Sequence, residues 1–304
     1  CIRDRLDAVN EFNFDKPYPI VAAKVNNVVQ GLRFRLYNNK DIEFLDYRTY
    51  SGRSAYCRSL CFLLSKAARD VFPECRIYMR RPISKGYFCS LIKPDGFGTD
   101  ADDVARIRKR MREIVKENLP FYRQEVQADE ATSVFARDGR SDITKLIGTT
   151  RPVYVDYYTL GGSADYYYDT LVPSSGYLDV WELERYRSGM LLRVPDRHHP
   201  EQLAPFFEQP KTFEVFAENI HWNALMKLDS VGDVNIACQK GKASELIQVA
   251  EALQEKKIVQ IAEEIDRRFH AASPVRLVLI TGPTSSGKTT FCKRLSVQLK
   301  ACGL

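Results

Sequence analysis

The sequence is poor in the residues and spacings that metal centres and disulfide frameworks need. Its four histidines lack the mutual spacing of metal ligands, so at most one of them is functional. The eight cysteines include no C-x-x-C pair, and we predict free, buried thiols. Cys57 and Cys61 are four residues apart on a predicted helix and could supply two metal ligands. No second Cys or His pair with ligand spacing accompanies them. We therefore expect neither a zinc site nor a disulfide-stabilised fold.

Long hydrophobic runs, internal repeats and low-complexity segments are also absent. No apolar run approaches the ~18 residues of a membrane span, and no charged-then-apolar leader opens the chain. The 304 residues predict about two domains, and 44% hydrophobic with 28% charged residues is ordinary for a globular protein. We expect a soluble, cytoplasmic protein without a membrane partner.

Positive charge is concentrated in one part of the chain. The segment from Arg76 to Lys116 holds eleven Lys and Arg and five Asp and Glu. Its net charge of +6 equals that of the whole chain. Such a segment predicts an anion-binding face, with RNA or tRNA as the partner. The alternative, a basic helix face that is only solvated, stays open.

Hydrophobic periodicity and turn residues predict a mixed α and β chain. Helices are predicted at 1–14, 52–72, 129–147, 213–226, 244–269 and 291–300, with another that Thr99 caps. Strands are predicted at 20–25, 28–36, 42–47, 153–160 and 177–183. Residues 75–92 are expected to be extended with turns at 81–82 and 85–86, residues 26–27 and 38–40 to form turns, and 231–235 a loop.

The stretch with the most specific chemistry lies near the end of the sequence. It reads Gly282-Pro283-Thr284-Ser285-Ser286-Gly287-Lys288-Thr289-Thr290. An apolar run at 275–280 predicts a strand before it, and a helical pattern follows, which is the context of a phosphate-binding P-loop. The alternative is a coincidental glycine-rich turn.

The residue types in this loop suit nucleotide phosphates. Glycines let successive backbone N–H groups turn inward at a positive helix N-terminus. Lys288 would add a point charge, and the Thr289 hydroxyl would ligate Mg²⁺. The sequence therefore predicts a site for ATP or GTP with Mg²⁺, formed by the nine residues from Gly282 to Thr290.

Residues 1–195 resemble the N-terminal half of threonyl-tRNA synthetase. The resemblance is carried by Ile20-Val-Ala-Ala-Lys-Val-Asn-Asn-Val-Val, Gly52-Arg-Ser-Ala-Tyr-Cys-Arg-Ser-Leu-Cys-Phe-Leu-Leu-Ser-Lys-Ala, and Leu171-Val-Pro-Ser-Ser-Gly176. It implies a small β-grasp (TGS) region followed by the second additional domain, an α+β module that edits mischarged tRNA.

The departures from that family fall on its chemistry. Where the synthetases carry H-x-x-x-H, this sequence has Arg58 and Phe62, and where they carry C-x-x-x-H it has Tyr167 and Leu171. None of these side chains supplies an imidazole or a thiol. We expect the module to have lost editing and to hold no zinc.

The remainder resembles bacterial nucleoside kinases of uridine kinase type that carry a fused TGS and synthetase-like front end. Gly189-Met-Leu-Leu-Arg-Val-Pro195 and Gln209-Pro-Lys-Thr-Phe-Glu-Val-Phe216 lead towards the glycine loop in the family's order. The resemblance implies transfer of a nucleotide γ-phosphoryl group to a uridine-like nucleoside, with Lys288 as a catalytic residue. It also implies that the first β-grasp hairpin and most of the kinase domain lie outside these 304 residues, so this chain alone should be inactive.

The expected fold is α+β, in four parts. They are a partial TGS-like β-grasp at 1–50, a synthetase-like α+β domain at 51–210, a helical connector at 211–273, and the start of a P-loop kinase domain at 274–304. Besides the kinase, two functions stay open: a non-catalytic module that binds RNA, tRNA or a regulatory small molecule, and a scaffold that forms a homo-oligomer. We expect the glycine loop to be partly mobile or held by packing against the helices of 213–269, and to bind nucleotide weakly.

Overall fold

The computed structural model describes residues 4–11, 17–35, 37, 40–94 and 98–304. These residues divide into two compact units, 1–233 and 234–304. None of the helices in these ranges is both long enough and apolar enough to cross a membrane. The domain boundaries predicted at residues 50, 210 and 273 stay predictions.

The first unit begins with a helix packed on a small antiparallel sheet. Helix α1 (Arg5–Glu11) covers strands β1 (Ile20–Val25), β2 (Val28–Gln30) and β3 (Ile42–Asp46), in the order β2-β1-β3. The predicted turn at 26–27 is confirmed, since both asparagines have positive φ angles. The predicted helix 1–14 and turn 38–40 lie partly outside the described residues.

The second strand is shorter than predicted. It ends at Gln30 rather than at residue 36, because Gly31 starts a turn in which Phe34 N donates to Gly31 O at 3.2 Å. Leu32 then turns inward and becomes fully buried beside Ile20 and Val25. The pairing of β2 with β1 therefore ends where the chain turns to bury Leu32.

Helix α2 (Tyr50–Val71) is the centre of the first unit and confirms the predicted helix. The Thr49 side chain caps it by accepting from Gly52 N at 3.1 Å. Most of its residues from Gly52 to Ala68 are buried, because both sides of the helix are covered by other elements. A helix buried all round needs an apolar sequence on more than one face.

A four-stranded antiparallel sheet covers α2. Its strands are β4 (Arg76–Ile83), β5 (Gly86–Ile92), β9 (Glu182–Tyr186) and β10 (Gly189–Arg193), in the order β4-β5-β10-β9. The turn predicted at 81–82 is wrong, since Arg81 and Pro82 pair with Phe88 and Tyr87 inside the β4/β5 ladder. An edge strand with a bulge tolerates the proline, and β4 has both features.

Helix α3 (Ala101–Glu117) packs on α2 through the predicted stripe of Val104, Ile107, Met111 and Ile114. Its cap is one residue later than predicted. Asp100, and not Thr99, accepts from Asp103 N, while Asp103 accepts from Asp100 N in return. A carboxylate pair that satisfies two orphan amides outcompetes a single hydroxyl.

A third sheet consists of β6 (Tyr122–Gln127), β7 (Tyr154–Leu160) and β8 (Ser163–Asp165), in that order. The helix predicted at 129–147 is two helices, α4 (Ala128–Arg137) and α5 (Ser141–Thr150). The break falls at Gly139, whose φ of +67° is left-handed. The strand predicted at 177–183 begins only at Glu182, because Ser175–Tyr177 forms a 3₁₀ turn.

The remaining helices are α6 (Pro210–Leu225), α7 (Val231–Gln239), α8 (Ala243–Phe269) and α9 (Lys288–Ala301). The predictions at 213–226, 244–269 and 291–300 are confirmed. The loop predicted at 231–235 is wrong, because Ser230 and Asp233 cap each other's backbone amides and start α7 there.

The strand predicted at 275–280 does not form. A strand needs a neighbour for its N–H and C=O groups, and the described residues of the second unit contain no other strand. Leu279 is 83% exposed, and Leu277 is 74% exposed. The apolar composition of this run therefore does not by itself decide its conformation.

Candidate functional site

The four positions that the resemblance aligns with the synthetase motifs lie together in the first unit. Arg58 and Phe62 are one helical turn apart on α2, and Tyr167 and Leu171 lie on the irregular segment after β8. The Phe62 and Tyr167 rings have their centroids 5.7 Å apart. The register assumed from the sequence is therefore consistent with the geometry.

Hydrogen bonds hold this segment against α2. Arg58 donates from Nη2 to Thr170 O at 3.0 Å and lies 3.0 Å from the Asp169 carboxylate. Ser59 Oγ accepts from Val172 N at 2.9 Å. Arg58 thus joins the helix to the segment by its guanidinium, where an imidazole would leave a nitrogen free for chemistry.

The other three positions form an apolar plug. Phe62 and Leu171 are buried, and Phe62 also packs on Phe121 at 5.7 Å between ring centroids. Burial raises the pKa of Tyr167 well above its ordinary value, so its hydroxyl stays protonated. Among the described residues, no group of three or more His, Cys, Asp and Glu is placed to hold a metal ion. Arg58, Phe62, Tyr167 and Leu171 supply neither an imidazole nor a thiol.

Two cavities lie on either side of Tyr167, and it lines both. The first cavity, of about 660 Å³, lies between the first and third sheets. Arg33 stacks on Tyr122 at 5.6 Å, and Arg123 stacks on Phe34 at 5.1 Å, so two arginine–aromatic pairs form one wall.

The first cavity also carries exposed tyrosines and carboxylates. Tyr37 and Tyr168 line it and are exposed, Tyr168 by 81%. Asp156 pairs with Arg123 at 2.6 Å and offsets part of the positive charge. The cavity is therefore a stacking surface more than a strongly basic groove.

The tyrosines at 166–168 lie outside the strands of the third sheet. They follow β8, which ends at Asp165. Tyr167 points inward to Phe62, while Tyr166 and Tyr168 contact each other edge to face at 4.9 Å. Only their exposed members are available for stacking on a ligand.

The second cavity, of about 700 Å³, has a charged floor. Asp165 is buried and accepts from Arg140 Nη1 at 2.6 Å, and Arg69 Nη2 lies 3.6 Å from its other oxygen. Arg140 also donates from Nε and Nη2 to both oxygens of Asp142, each at 3.0 Å. Sequence reasoning missed this network, because its members are far apart in the chain and match no local motif.

The basic segment is less available than its composition suggests. Arg108 and Arg112 pair with Glu182, and Arg110 pairs with Asp70, Glu113 and Glu117. Arg106 stacks on Phe72. Within the described residues, the cations of this segment without such a partner are Arg76, Lys109 and Lys116. The footprint for an anion is therefore small.

The described cysteines are all free, as predicted, but only some are buried. Burial raises the pKa of the Cys57, Cys61 and Cys89 thiols and keeps them protonated. Cys238, Cys292 and Cys302 are exposed, contrary to the prediction of buried thiols. Cysteine is commonly buried. These three lie on, or directly after, helices of the second unit that have few buried residues.

The histidines are not grouped. His198 and His199 donate their backbone amides to Asp196, and His270 Nδ1 lies 3.0 Å from Asp266 O. His221 contacts Trp222 on α6. Among the described residues, these histidines therefore form no shared metal site.

The glycine loop lies in the second unit and is exposed. Ser285 and Gly287 have left-handed φ angles of +60° and +78°, and α9 begins at Lys288. Lys288 Nζ donates to Gly282 O at 2.9 Å and to Pro283 O at 2.6 Å. The lysine thus folds back onto the carbonyls of its own loop.

The remaining polar residues of the loop are not buried. Thr284, Ser286, Thr289 and Thr290 are exposed. Helix α9 is held by packing on α8, where Leu295 meets Ile258 and Ala262 in a small buried cluster. Packing on α8 thus holds the helix that follows the loop. The expectation that the loop itself is partly mobile, or held by the helices of 213–269, stays a prediction.

Comparisons with known proteins find similar enzymes. The chain is similar to threonine–tRNA ligase, also called threonyl-tRNA synthetase, of Acidithiobacillus ferrooxidans, at 26% identity over 168 residues. It is 28% identical over 164 residues to the enzyme of Desulforamulus reducens, and 26% over 166 residues to that of Fusobacterium nucleatum. No family model matches the chain.

Each of these alignments covers 54% of the chain and 26% of the relative. The chain therefore spans about a quarter of the length of the curated relatives that it matches. The similarities are consistent with the mixed α and β fold and give no support to the nucleoside kinase or TGS resemblance. They support a threonyl-tRNA synthetase-like domain within this chain.

Proposed function

We propose that the first unit is a threonyl-tRNA synthetase-like module that binds RNA, with tRNA as the first candidate, and does not hydrolyse the aminoacyl ester of a mischarged tRNA. The observation that carries this proposal is the plugged site. Arg58 is paired with Asp169, and Phe62, Tyr167 and Leu171 fill the space beside it with rings and methyl groups. A hydrolytic site needs a water or nucleophile next to a base, and the plug excludes both.

An RNA partner is supported by the chemistry of the first cavity. Unpaired bases stack on aromatic side chains and arginine planes, and the wall offers Arg33 on Tyr122 and Arg123 on Phe34. Exposed Tyr37 and Tyr168 extend this surface. Because few free cations accompany it, we expect modest affinity with a shallow salt dependence.

Two assays test this function. The purified chain should release no amino acid from mischarged threonine-specific tRNA above the rate of buffer alone. In filter binding, Tyr168→Ala should weaken tRNA binding by about fivefold or more, the loss of one stacked base. Tyr50→Ala is the matched control, since Tyr50 is also 81% exposed but lies outside the cavity. Measurable deacylation, or equal effects of the two substitutions, would contradict the proposal.

We propose as a second function that the residues from Gly282 to Thr290 bind the phosphates of ATP or GTP with Mg²⁺, as in a nucleoside kinase acting on a uridine-like nucleoside. The favouring observation is the loop geometry, with left-handed Ser285 and Gly287 leading directly into α9. Lys288 would exchange its two carbonyl contacts for phosphate oxygens, and Thr289 would hold Mg²⁺. We assign only this phosphate-binding role, and no turnover, to the chain itself.

Titration with a fluorescent ATP analogue tests the second function. Binding should be weak, because Lys288 must first leave Gly282 O and Pro283 O. Lys288→Ala should abolish it, whereas Lys293→Ala, an exposed lysine on the same helix, should leave it unchanged. Uridine phosphorylation by the chain would disprove the absence of turnover, and binding that survives Lys288→Ala would disprove the site.

A further inference from the structure

The first cavity is lined by one face of the third sheet, and that face carries charged side chains. Arg123 and Glu125 on β6, and Asp156 and Tyr158 on β7, line the cavity and are two residues apart within each strand. Side chains at alternate positions of a strand lie on the same face of a sheet. Val155 lies on the opposite face and is buried in the cluster shared with α4 and α5. The stacking surface of the first cavity therefore borders a row of charged groups.

One carboxylate oxygen in this row is buried without a hydrogen-bond partner. Asp156 Oδ2 accepts from Arg123 Nη2 at 2.6 Å, whereas Asp156 Oδ1 is buried and unpaired within the described residues. Glu125 lies directly opposite Asp156 in the β6/β7 ladder, and its carboxylate has no ion pair in the part of the chain that the structure describes. Like charges opposite each other destabilise a sheet, and a buried acceptor without a donor is rare. A ligand that donates hydrogen bonds here relieves both costs.

The walls of the cavity favour a flat ring over a metal ion as that donor. Arg33 stacks on Tyr122 and Arg123 stacks on Phe34, so planar groups border the two carboxylates. Within the ranges that the structure describes, no cluster of three or more potential metal ligands forms. A cavity of about 660 Å³ has the size of a small-molecule site and accommodates a base with its sugar. The expected ligand is therefore aromatic, with N–H groups along one edge.

Arg5 fixes the turn that forms another part of the cavity wall. Its guanidinium donates from Nη1 to Gly31 O and to Phe34 O, each at 3.1 Å. Arg5 is buried, so these hydrogen bonds hold the turn that carries Arg33 and Phe34. A wall that is ordered before binding loses little conformational entropy when a ring stacks on it. The stacking surface is thus already formed in the unbound chain.

Hydrogen-bond chemistry distinguishes among the four RNA bases. Guanine carries two adjacent donors, N1–H and the N2 amino group, on its Watson–Crick edge. Adenine, cytosine and uracil each place an acceptor next to their donor, and the lone pair of that acceptor would face a carboxylate oxygen. Asp156 Oδ1 and the Glu125 carboxylate are acceptors alone. Guanine is therefore the base that satisfies both side chains without repulsion.

We propose that the first cavity selects a guanine base of a single-stranded RNA. The ring stacks on the arginine–aromatic wall, and N1–H and the N2 amino group donate to Asp156 and Glu125. This inference rests on the proposed RNA-binding function and names the base that the site takes. The two opposed carboxylates contribute to the selection, because a base without these donors leaves their repulsion in place.

Fluorescence anisotropy on the full chain with short labelled RNAs tests the selection. The RNAs are oligouridine with a central guanosine, adenosine or inosine, and the guanosine RNA should bind about tenfold more tightly than the adenosine RNA. Inosine keeps N1–H but lacks the N2 amino group, so its RNA should bind about fivefold more weakly than the guanosine RNA. Equal affinities overturn the selection while RNA binding stands. Absence of binding by all three RNAs overturns both proposals.

Unlabelled guanosine separates an RNA strand from a free nucleoside as the source of the base. The nucleoside lacks the neighbouring nucleotides that can stack on exposed Tyr37 and Tyr168. Displacement of the labelled RNA should therefore need at least about tenfold more guanosine than unlabelled guanosine RNA. Displacement by both at the same concentration would overturn the RNA strand as the ligand.

Asp156→Asn should produce a change of preference that a structural role would not. An asparagine side chain offers an acceptor beside a donor, which matches xanthine, where an oxygen replaces the N2 amino group of guanine. The variant should bind a xanthosine RNA more tightly than the guanosine RNA, whereas the parent chain should prefer guanosine. A retained guanosine preference, or equal weakening of all RNAs, would overturn the role of Asp156.

Asp142→Asn is the matched control. Asp142 is 40% exposed and pairs with an arginine, as the 41% exposed Asp156 does, but it lies outside the first cavity. This variant should keep the guanosine preference of the parent. Glu125→Gln tests the same site without removing the pair of Arg123 and Asp156, and it should lower the guanosine preference about fivefold. Loss of preference in the control, or an unchanged preference in both cavity variants, overturns the assignment.

Discussion

At the scale of single residues, the positions aligned with the synthetase motifs are used for packing and pairing in the first unit. Arg58, which the resemblance aligns with a synthetase histidine, binds the segment after β8 to α2 through its guanidinium. Phe62, one turn later, is fully buried. These two side chains stabilise the fold. Neither has the imidazole nitrogen that makes a histidine useful in catalysis.

Arg58→Ala should therefore destabilise the first unit. The substitution removes two hydrogen bonds to Thr170 O and the contact with Asp169, and we expect a loss of about 1–2 kcal/mol. Urea denaturation followed by Trp181 fluorescence measures the change, since Trp181 is buried in the same core. Arg112→Ala is the control, because Arg112 is 58% exposed and its ion pair should contribute less than ~0.5 kcal/mol. Equal effects of both substitutions would contradict a fastening role for Arg58.

The charged floor of the second cavity predicts an acid-sensitive stability. Burial alone would raise the pKa of Asp142, but hydrogen bonds and charge from Arg140 outweigh it and hold the pKa below its ordinary value. A depressed carboxyl pKa contributes stability that is present above the unfolded value of ~3.9 and is lost as pH falls through the lower folded value. The urea concentration at the unfolding midpoint should therefore decrease as the pH is lowered below about 4. The decrease should be less steep in Asp142→Asn. An identical pH profile in the variant would exclude this origin.

At the scale of elements, helix ends decide several boundaries that hydrophobic periodicity leaves uncertain. The caps at Thr49 and Asp100 and the Ser230–Asp233 pair set where α2, α3 and α7 begin. Each cap satisfies backbone N–H groups that the first helical turn leaves without partners. Periodicity identifies that a helix exists, whereas a short polar contact fixes its first residue.

Thr49→Ala should cost about 1 kcal/mol, because Thr49 Oγ1 both accepts from Gly52 N and donates to Asp46 O. Ser51→Ala, two residues later, serves as the control and should change stability by less than ~0.5 kcal/mol, since alanine is the better helix former. The urea midpoint of Trp181 fluorescence again reports the effect. A neutral Thr49→Ala would mean that tertiary packing alone positions the start of α2.

At the scale of the whole molecule, the buried clusters follow the division into two units. Four hydrophobic clusters take all their members from residues 4–233, and the fifth lies between α8 and α9. The largest cluster joins α2, α3 and the four-stranded sheet. Each unit thus has its own apolar core, as expected for separate folding units.

A chain limited to residues 1–233 should consequently fold by itself. Its melting midpoint, followed through Trp181 in a Trp222→Phe background, should lie within about 3 °C of that of the full chain, the shift caused by ~1 kcal/mol. Residues 1–233 retain Gly232 and Asp233, which contact Lys145 on α5. Aggregation of this shortened chain, or a melting midpoint far below that of the full chain, would contradict independent folding.

Much of the architecture could be predicted from local patterns. The long helices α2 and α8, the β1 strand and the Asn26–Asn27 turn each carry a strong signal within a few residues. The errors fall where a distant partner decides. Pro82 stays in a strand because β4 is an edge, and residues 275–280 are no strand because none pairs with them.

The candidate site divides in the same way. The sequence by itself determined which residues the resemblance aligns with the synthetase motifs, and that none of them carries an imidazole or a thiol. Only the tertiary structure brought Arg58, Phe62, Tyr167 and Leu171 together and placed Asp165 between Arg69 and Arg140. Residue identity fixes what chemistry is available, whereas contacts across about a hundred residues of chain depend on packing that no local pattern encodes.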